Sequence, residues 1–171
     1  MHRLEAKIRA IPDFPKPGVV FRDITPLVAD PTTLQLAVYQ MINPFLGDSI
    51  NAVAGMEARG FIFGSIAAWE MRVGFIPLRK PGKLPYEVES ESYDLEYGAT
   101  ALEVHTDAVK PGDRVLLMDD LIATGGTAAA SCQLLEKIGA EIVGCVFLIE
   151  LDELKGRDRL NKYRVHSLLH F

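Results

Sequence analysis

The stretch VLLMDDLIATGGTAAA, residues 115–130, decides the fold of this chain. An apolar run typical of a buried strand ends in Asp119 and Asp120, and a Gly-Gly turn then leads into an alanine-rich helical pattern. In the turn Thr124-Gly125-Gly126-Thr127, successive main-chain N–H groups can face one anion without a Cβ in the way. The strand, turn and helix together predict one unit of an α/β fold with an anion site at the helix N-terminus.

The rest of the chain alternates strand-like and helical patterns with short connections, which predicts a mostly parallel sheet flanked by helices. We expect strands at residues 49–54, 75–79, 100–106, 114–118, 141–151 and 163–169. Helices are expected at residues 2–10, from Asp30-Pro31 onward, at residues 61–72 and at residues 127–138. Ligands bind such sheets at the carboxyl ends of the strands, which places the loops 56–60, 79–83 and 119–127 on one rim.

The composition describes an ordinary globular chain whose 171 residues suit a single domain, residues 1–171. The net charge is -5 and no Lys/Arg tract occurs, so we expect no nucleic-acid partner. No apolar run approaches the roughly 18 residues of a membrane span, so no membrane partner is expected. Cys132 and Cys145 fall in helical and strand patterns and are interpreted as buried, reduced packing residues. A cytoplasmic location is therefore predicted.

The two acids beside the Gly-Gly turn indicate what kind of anion the site takes. Tight packing alone would explain such a turn, but carboxylates only accept hydrogen bonds at neutral pH and repel a phosphate. They become useful if the ligand continues from its phosphate into hydroxyl groups or a magnesium ion, as a phosphorylated ribose does. The alternative is a magnesium pocket like that of response regulators, which would not need the anion turn. The predicted ribose 5-phosphate site comprises Asp119, Asp120, Ala123, Thr124, Gly125, Gly126 and Thr127.

The sequence LLMDDLIATGGT, residues 116–127, resembles the motif with which type I phosphoribosyltransferases bind 5-phosphoribosyl 1-pyrophosphate. The resemblance extends over nearly the whole chain, through AGMEARGFIFG (54–64), LRKPGKLP (78–85), LEYG (95–98) and ELDELKGR (150–157). It implies the type I phosphoribosyltransferase fold, with a small N-terminal hood at about residues 11–27 and a flexible catalytic loop at about residues 80–97. It also implies Mg²⁺ held by the substrate, through water near Asp119 and Asp120, and a homodimer in which Arg79 can reach the neighbour's site.

Two rim loops carry cations that suit a second anion. Solvated lysines are the ordinary interpretation of such loops, but four cations on the rim of an acidic protein favour an anion site. The resemblance assigns pyrophosphate binding to these loops, often with a cis peptide bond at the position of Glu57-Ala58, which sequence alone does not reveal. The predicted pyrophosphate residues are Glu57, Ala58, Arg59, Arg79, Lys80 and Lys83.

The segment SYDLEYG, residues 92–98, resembles the returning strand of the family's catalytic loop, which follows a long loop at residues 80–93. A lid would protect the reaction from water while pyrophosphate departs. By this resemblance Glu96 would sit near N7 of the base and handle its proton, and Tyr97 would help to order the loop. An ordinary strand aromatic is the alternative for Tyr97.

The arm DFPKPGVVFRDITPL, residues 13–27, resembles the hood of adenine phosphoribosyltransferases, although on physical grounds it could be an aromatic arm packed on the core. The resemblance implies that Phe21 and Leu151 stack on opposite faces of adenine, and that main-chain groups of Val20 and Arg22 bind its Watson–Crick edge. A 6-oxopurine would present the opposite hydrogen-bonding pattern. We therefore predict a purine salvage enzyme that joins adenine to 5-phosphoribosyl 1-pyrophosphate, giving AMP and pyrophosphate. The alternatives are a phosphoribosyltransferase for another purine base and a non-catalytic regulator that senses the sugar donor.

Overall fold

A five-stranded parallel sheet lies at the centre of the protein. The structure, a computed structural model, describes residues 2–95 and 98–171. The strands of this sheet are β3 (Ala52–Met56), β4 (Gly74–Leu78), β7 (Arg114–Ile122), β8 (Glu141–Glu150) and β9 (Val165–His170). Their spatial order is β4-β3-β7-β8-β9, and every neighbouring pair is parallel. The predicted mostly parallel sheet is thus confirmed.

Helices cover both faces of the sheet, because β7 presents apolar side chains alternately to each side. Leu116 and Met118 pack into the core under α3 (Pro31–Ile42) and α4 (Gly60–Met71), whereas Val115 and Leu117 pack under α5 (Gly126–Lys137). Asp30 caps α3 as predicted, since its Oδ1 accepts hydrogen bonds from the Thr32 and Thr33 N–H groups at 3.0 and 3.3 Å. Among the described residues, every helix is too short or too polar to cross a bilayer.

The N-terminal region forms a hairpin, not the short helix at residues 2–10 followed by an extended arm that the sequence predicts. Helix α1 covers only His2–Glu5, and β1 (Arg9–Pro12) then pairs antiparallel with β2 (Val20–Asp23) ahead of the short helix α2 (Thr25–Ala29). Asp13 and Gly18 take positive φ angles of 57° and 85°, and the Gly18 N–H donates to Asp13 Oδ1 at 2.8 Å. This local turn reverses the chain, which the proline-rich composition did not reveal.

The segment predicted as a loop at residues 80–93 becomes a strand from Val88 onward. β5 (Val88–Leu95) pairs antiparallel with β6 (Gly98–His105), so the irregular stretch ends at residue 87. Glu89, Glu91 and Tyr93 alternate along β5 and are half-buried, and the first two are acidic. Lys137 at the end of α5 forms ion pairs with both. The sequence prediction was wrong because this inward face is charged and carries no apolar alternation.

Candidate active site

Three loops meet at one edge of the sheet, as the parallel topology requires. They follow the carboxyl ends of β3, β4 and β7, at Met56, Leu78 and Ile122. The Glu57 N–H donates to Leu78 O at 2.9 Å, which ties the first loop to the second. Arg59 of the first loop forms an ion pair with Asp120 at the end of β7. The structure therefore brings the three predicted rim loops together.

The acid pair lies within β7 and not after it. The predicted strand ended at residue 118, but pairing with β8 continues through Asp119 opposite Phe147 to Ile122 opposite Glu150. Asp119 is half-buried, whereas Asp120 is only 4% exposed. Asp119 Oδ1 accepts a hydrogen bond from the Asp120 N–H at 2.8 Å. The strand thus holds both carboxylates in a fixed position at the rim.

Burial and mutual repulsion make this acid pair hard to ionise. Burial raises the pKa of Asp119, and the neighbouring charge of Asp120 raises it further. Burial also raises the pKa of Asp120, while the charge of Arg59 opposes that shift. Arg59 Nε lies 2.9 Å from Asp120 Oδ2 as an ion pair, and this oxygen accepts no hydrogen bond from the described residues. The pair is therefore suited to a ligand that brings hydroxyl donors or a cation.

The Gly-Gly turn forms an anion cradle at the start of α5. Gly125 has a left-handed φ of 78° and directly precedes Gly126, the first residue of the helix. The first N–H groups of a helix have no partner within it and carry the positive end of its dipole. In the described part of the chain, the hydroxyls of Thr124 and Thr127 have no hydrogen-bond partner. Main-chain amides and hydroxyls of residues 124–127 are thus available to one anion, and Ala123 leads into the turn half-buried.

Glu57 joins the two cationic loops. Its Oε2 accepts hydrogen bonds from Arg79 Nε at 3.2 Å and from the Lys80 N–H at 3.1 Å. Burial alone would raise the pKa of Glu57, but these hydrogen bonds hold it below its ordinary value. Arg79 also donates from Nη1 to Lys83 O at 2.9 Å, so its side chain contacts its own chain. The Glu57–Ala58 peptide bond is cis. Three further predicted residues are exposed at this rim: Ala58, Lys80 and Lys83.

The hood hairpin places Phe21 beside the rim. Phe21 and Phe14 pack in a T-shaped arrangement with ring centroids 5.2 Å apart, and the Arg59 guanidinium lies 5.5 Å from the centre of the Phe21 ring. Its neighbour Val20 is exposed, and the Arg22 guanidinium stacks on Phe171 at 4.1 Å. Arg59 therefore contacts both the predicted base-binding ring and the acid pair.

Leu151 follows β8, and its N–H donates to Ile122 O at 3.0 Å. This bond sets the predicted base-stacking residue next to the end of β7, two residues beyond Asp120. The predicted catalytic residues Glu96 and Tyr97 lie outside the described residues. The structure thus places all the other predicted site residues on this rim or on the hood that adjoins it.

Sequence reasoning missed two residues, Glu103 and Gly156, that contact the loops of the site. Glu103 on β6 accepts a hydrogen bond from the Gly82 N–H at 3.0 Å and so fastens the second cationic loop. Gly156 lies against the Gly-Gly turn, where a Cβ would overlap the carbonyl oxygen of Ala123. The motif ELDELKGR contains Gly156 but did not single it out, and no sequence pattern distinguishes Glu103 from an ordinary strand position.

Known proteins are similar to this chain in both sequence and fold. Residues 36–170 match the phosphoribosyl transferase domain family. The adenine phosphoribosyltransferase of Methylococcus capsulatus is 67% identical over 171 residues, which cover 100% of both chains. The crystal structure of adenine phosphoribosyltransferase from Rhodothermus marinus superposes with a TM-score of 0.95 at 51% identity, covering 99% of this chain and 97% of that chain. This chain belongs to the adenine phosphoribosyltransferase family.

A third relative of the adenine phosphoribosyltransferase family was crystallised with ligands. The enzyme of Saccharomyces cerevisiae, complexed with D-2,5-dideoxy-2,5-imino-altritol 1,6-bisphosphate and adenine, matches with a TM-score of 0.93 at 38% identity. That match covers 98% of this chain and 97% of the yeast chain. Membership in the adenine phosphoribosyltransferase family confirms the predicted type I phosphoribosyltransferase fold and the predicted enzyme class.

Proposed function

We propose that this chain transfers the 5-phosphoribosyl group of 5-phosphoribosyl 1-pyrophosphate to adenine in purine salvage, giving AMP and pyrophosphate. In this reaction the bond between adenine N9 and ribose C1′ forms, pyrophosphate leaves C1′ with the electron pair, and N9 loses its proton. The observation that carries the proposal is the anion cradle at α5, which follows Asp119 and Asp120 directly along the chain on one rim. Membership in the adenine phosphoribosyltransferase family supports adenine as the acceptor.

The sugar phosphate is the first part of the donor that the rim would bind. The proposed cradle, Ala123 with residues 124–127, takes the 5-phosphate through main-chain N–H groups and the Thr124 and Thr127 hydroxyls. Asp119 and Asp120 accept hydrogen bonds from the ribose hydroxyls. Their negative charge also stabilises the positive charge that develops on the ribose as the leaving group departs.

The pyrophosphate group is the second part of the donor that the rim would bind. Arg59, Arg79, Lys80 and Lys83 are proposed to balance its charge, with Glu57 and Ala58 shaping the loop. The acid pair fits a magnesium ion held through water, because Mg²⁺ prefers oxygen ligands and Asp120 Oδ2 accepts no hydrogen bond from the described residues. The ion, chelated by the donor, would neutralise charge on the leaving group.

The hood is proposed to bind the base. Phe21 would stack on one face of adenine and Leu151 on the other. In the β1–β2 register Val20 lies opposite Pro12, which has no N–H to donate, so that pair cannot carry both ladder hydrogen bonds. Hydrogen-bonded and non-hydrogen-bonded pairs alternate along an antiparallel ladder, so Arg22, two residues from Val20, belongs to the same kind of pair. The main-chain N–H and C=O groups of both residues would then point away from β1, to the open edge of the hairpin. This supports their proposed role in binding the Watson–Crick edge.

The catalytic loop is proposed to act as a lid. In one domain spanning residues 1–171, residues 11–27 form the hood and residues 80–97 form the lid. Glu96 would handle the proton of the base, and Tyr97 would order the lid over pyrophosphate. Closure would exclude water from the reacting sugar.

A homodimer in the cytoplasm is the proposed state of the enzyme. Trp69 on α4 is 81% exposed and Tyr39 on α3 is also exposed, so these helices leave large apolar side chains uncovered. The unbridged thiols of Cys132 and Cys145, 3.5 Å apart, suit a reducing compartment. Light scattering on the purified protein would test the dimer, and a monomer at assay concentration would contradict it.

The transfer itself is tested by incubating labelled adenine with 5-phosphoribosyl 1-pyrophosphate and Mg²⁺ and separating labelled AMP. Hypoxanthine and xanthine serve as controls for the base. We expect product from adenine alone. Product from a 6-oxopurine instead would indicate a phosphoribosyltransferase for another base, and no product from any base would favour the sensing regulator.

A further inference from the structure

The segment that follows β8 packs, main chain against main chain, on residues 123–127, the proposed cradle for the 5-phosphate. This cradle is called the phosphate turn below. A Cβ added at Gly125 would overlap the carbonyl oxygen of Gly156. A Cβ added at Gly156 would overlap the carbonyl oxygen of Ala123 and lie 2.9 Å from the Gly125 nitrogen. Neither position has room for a side chain. A side chain at Gly156, or movement of Gly156 toward the turn, would therefore displace the main chain of residues 123–125.

An ion pair between the buried carboxylate of Glu150 and the exposed side chain of Arg157 holds Gly156 in this place. Glu150, the last residue of β8, is 3% exposed. Its Oε1 accepts a hydrogen bond from Arg157 Nε at 2.7 Å, and its Oε2 accepts one from Arg157 Nη2 at 2.6 Å. The two parallel hydrogen bonds hold the pKa of Glu150 below its ordinary value. Arg157 immediately follows Gly156, so this pair anchors the end of the loop nearest the phosphate turn.

The beginning of the same loop has separate fastenings. The Leu151 N–H donates to Ile122 O at 3.0 Å, and the Asp152 N–H donates to Phe171 O at 2.9 Å. These bonds place Leu151, the proposed adenine contact, independently of Arg157. The Glu150–Arg157 pair therefore controls the phosphate side of the loop more than its base side.

We propose that Glu150 and Arg157 are positioning residues that hold Gly156 against the phosphate turn and so set the geometry of its main-chain amides. This inference rests on the proposed function, because it requires that residues 124–127 bind the 5-phosphate. The pair contacts no substrate. It acts through Gly156, and it tunes affinity for the phosphate end of the ligand rather than for the base.

Three variants and one control separate this role from a general structural one. Arg157→Lys keeps the charge beside Glu150 but cannot form the two parallel hydrogen bonds. Gly156→Ala adds a Cβ against the turn and retains both side chains of the ion pair, and Arg157→Ala removes the pair altogether. The control, Arg159→Ala, removes one positive charge as Arg157→Ala does, but at an exposed arginine two residues after Arg157. Thermal unfolding identifies any variant that fails to fold.

The readout is the ratio of two affinities, measured by titrating each variant with AMP and, separately, with adenine. We expect Gly156→Ala and Arg157→Lys to weaken AMP binding tenfold or more, or about 1.4 kcal/mol. The Kd for adenine should change by less than about threefold in the same variants. In steady-state assays, the KM for 5-phosphoribosyl 1-pyrophosphate should rise while the KM for adenine stays near that of the wild type, and Arg159→Ala should behave as wild type.

Equal losses of AMP and adenine affinity in Gly156→Ala and Arg157→Lys would overturn the inference, because a general structural role predicts them. Unchanged AMP affinity in both variants, with AMP bound normally by the wild type, would overturn it while leaving the proposed function intact. Failure of the wild type to bind AMP or to form product would overturn the proposed function, and this inference with it.

Discussion

Arg59 Nε lies 2.9 Å from Asp120 Oδ2, so a cation of the proposed pyrophosphate loop contacts an acid of the proposed ribose site. In this ion pair, each group balances the charge of the other. When the sugar donor binds, Arg59 would turn to the pyrophosphate and Asp120 to a ribose hydroxyl. The donor then replaces one ion pair by two charge-assisted contacts, which links recognition of the two ends of the same molecule.

Removing the positive charge of Arg59 should weaken binding of the sugar donor. We expect Arg59→Gln to raise the KM for 5-phosphoribosyl 1-pyrophosphate about 10- to 100-fold, since hydrogen bonds to charged groups contribute about 1.5–3 kcal/mol. Arg159→Gln, at an exposed arginine outside the proposed pyrophosphate loops, is the matched control and should leave the KM unchanged. Steady-state kinetics with the donor varied would measure both, and equal KM values for the two variants would remove Arg59 from the site.

Neutralising Asp119 should stabilise the free protein while it impairs catalysis. Burial and the charge of Asp120 raise the pKa of Asp119, so ionisation at neutral pH opposes folding. The amide that Asp119→Asn introduces does not ionise, and its oxygen can still accept the Asp120 N–H. We therefore expect this variant to raise Tm by about 2–4 °C for each kcal/mol gained. The loss of charge opposite the developing ribose cation should lower kcat about 100-fold or more.

The pH dependence of this gain has a definite sign. Between the unfolded pKa of Asp of about 3.9 and the raised folded pKa, the native chain binds more protons than the unfolded chain. The free energy of unfolding of the wild type therefore falls as pH rises through that interval, relative to Asp119→Asn. The Tm difference should be largest at neutral pH and shrink toward pH of about 4. Asp107→Asn, at an exposed acid, should show no such trend, and a lower Tm for Asp119→Asn at neutral pH would refute the account.

Removing the ring of Phe21 should affect the base and not the sugar donor. Base–aromatic stacking contributes about 1–3 kcal/mol, so Phe21→Ala should raise the KM for adenine about 5- to 150-fold. Phe14 packs against Phe21 in a T-shaped arrangement, and Phe14→Ala leaves the proposed stacking ring itself in place, so it should have a smaller effect. A larger effect at Phe14 than at Phe21 in the same assay would reverse the assignment of the stacking residue.

Shortening the proposed lid should reduce the rate more than the stability. Replacing residues 84–86 by one glycine keeps Gly82 on Glu103 and retains Lys83. We expect kcat/KM to fall about tenfold or more because water enters the site, while Tm changes by less than about 2–4 °C, the equivalent of 1 kcal/mol. Replacement must stop before β5, which pairs with β6 along its whole length. A large drop in Tm would show that residues 84–86 belong to the core.

The sheet, the helices on its two faces and the rim could be predicted because they depend on local patterns. The apolar run before Asp119 indicated the central strand, and Asp30-Pro31 indicated the start of α3. What could not be predicted depends on partners distant in the sequence. β7 reaches Ile122 because β8 pairs with it there, and β5 packs its acidic face on Lys137 of α5. Glu103 and the Glu150–Arg157 pair likewise act through contacts that no local spacing encodes.

A crystal structure of the protein with AMP would test the central claim most directly. The account predicts the phosphate of AMP within hydrogen-bond distance of the main-chain N–H groups of residues 124–127, and the ribose hydroxyls on Asp119 and Asp120. The adenine ring should lie between Phe21 and Leu151. A phosphate bound at another part of the surface, or a ribose that makes no contact with either acid, would contradict the account.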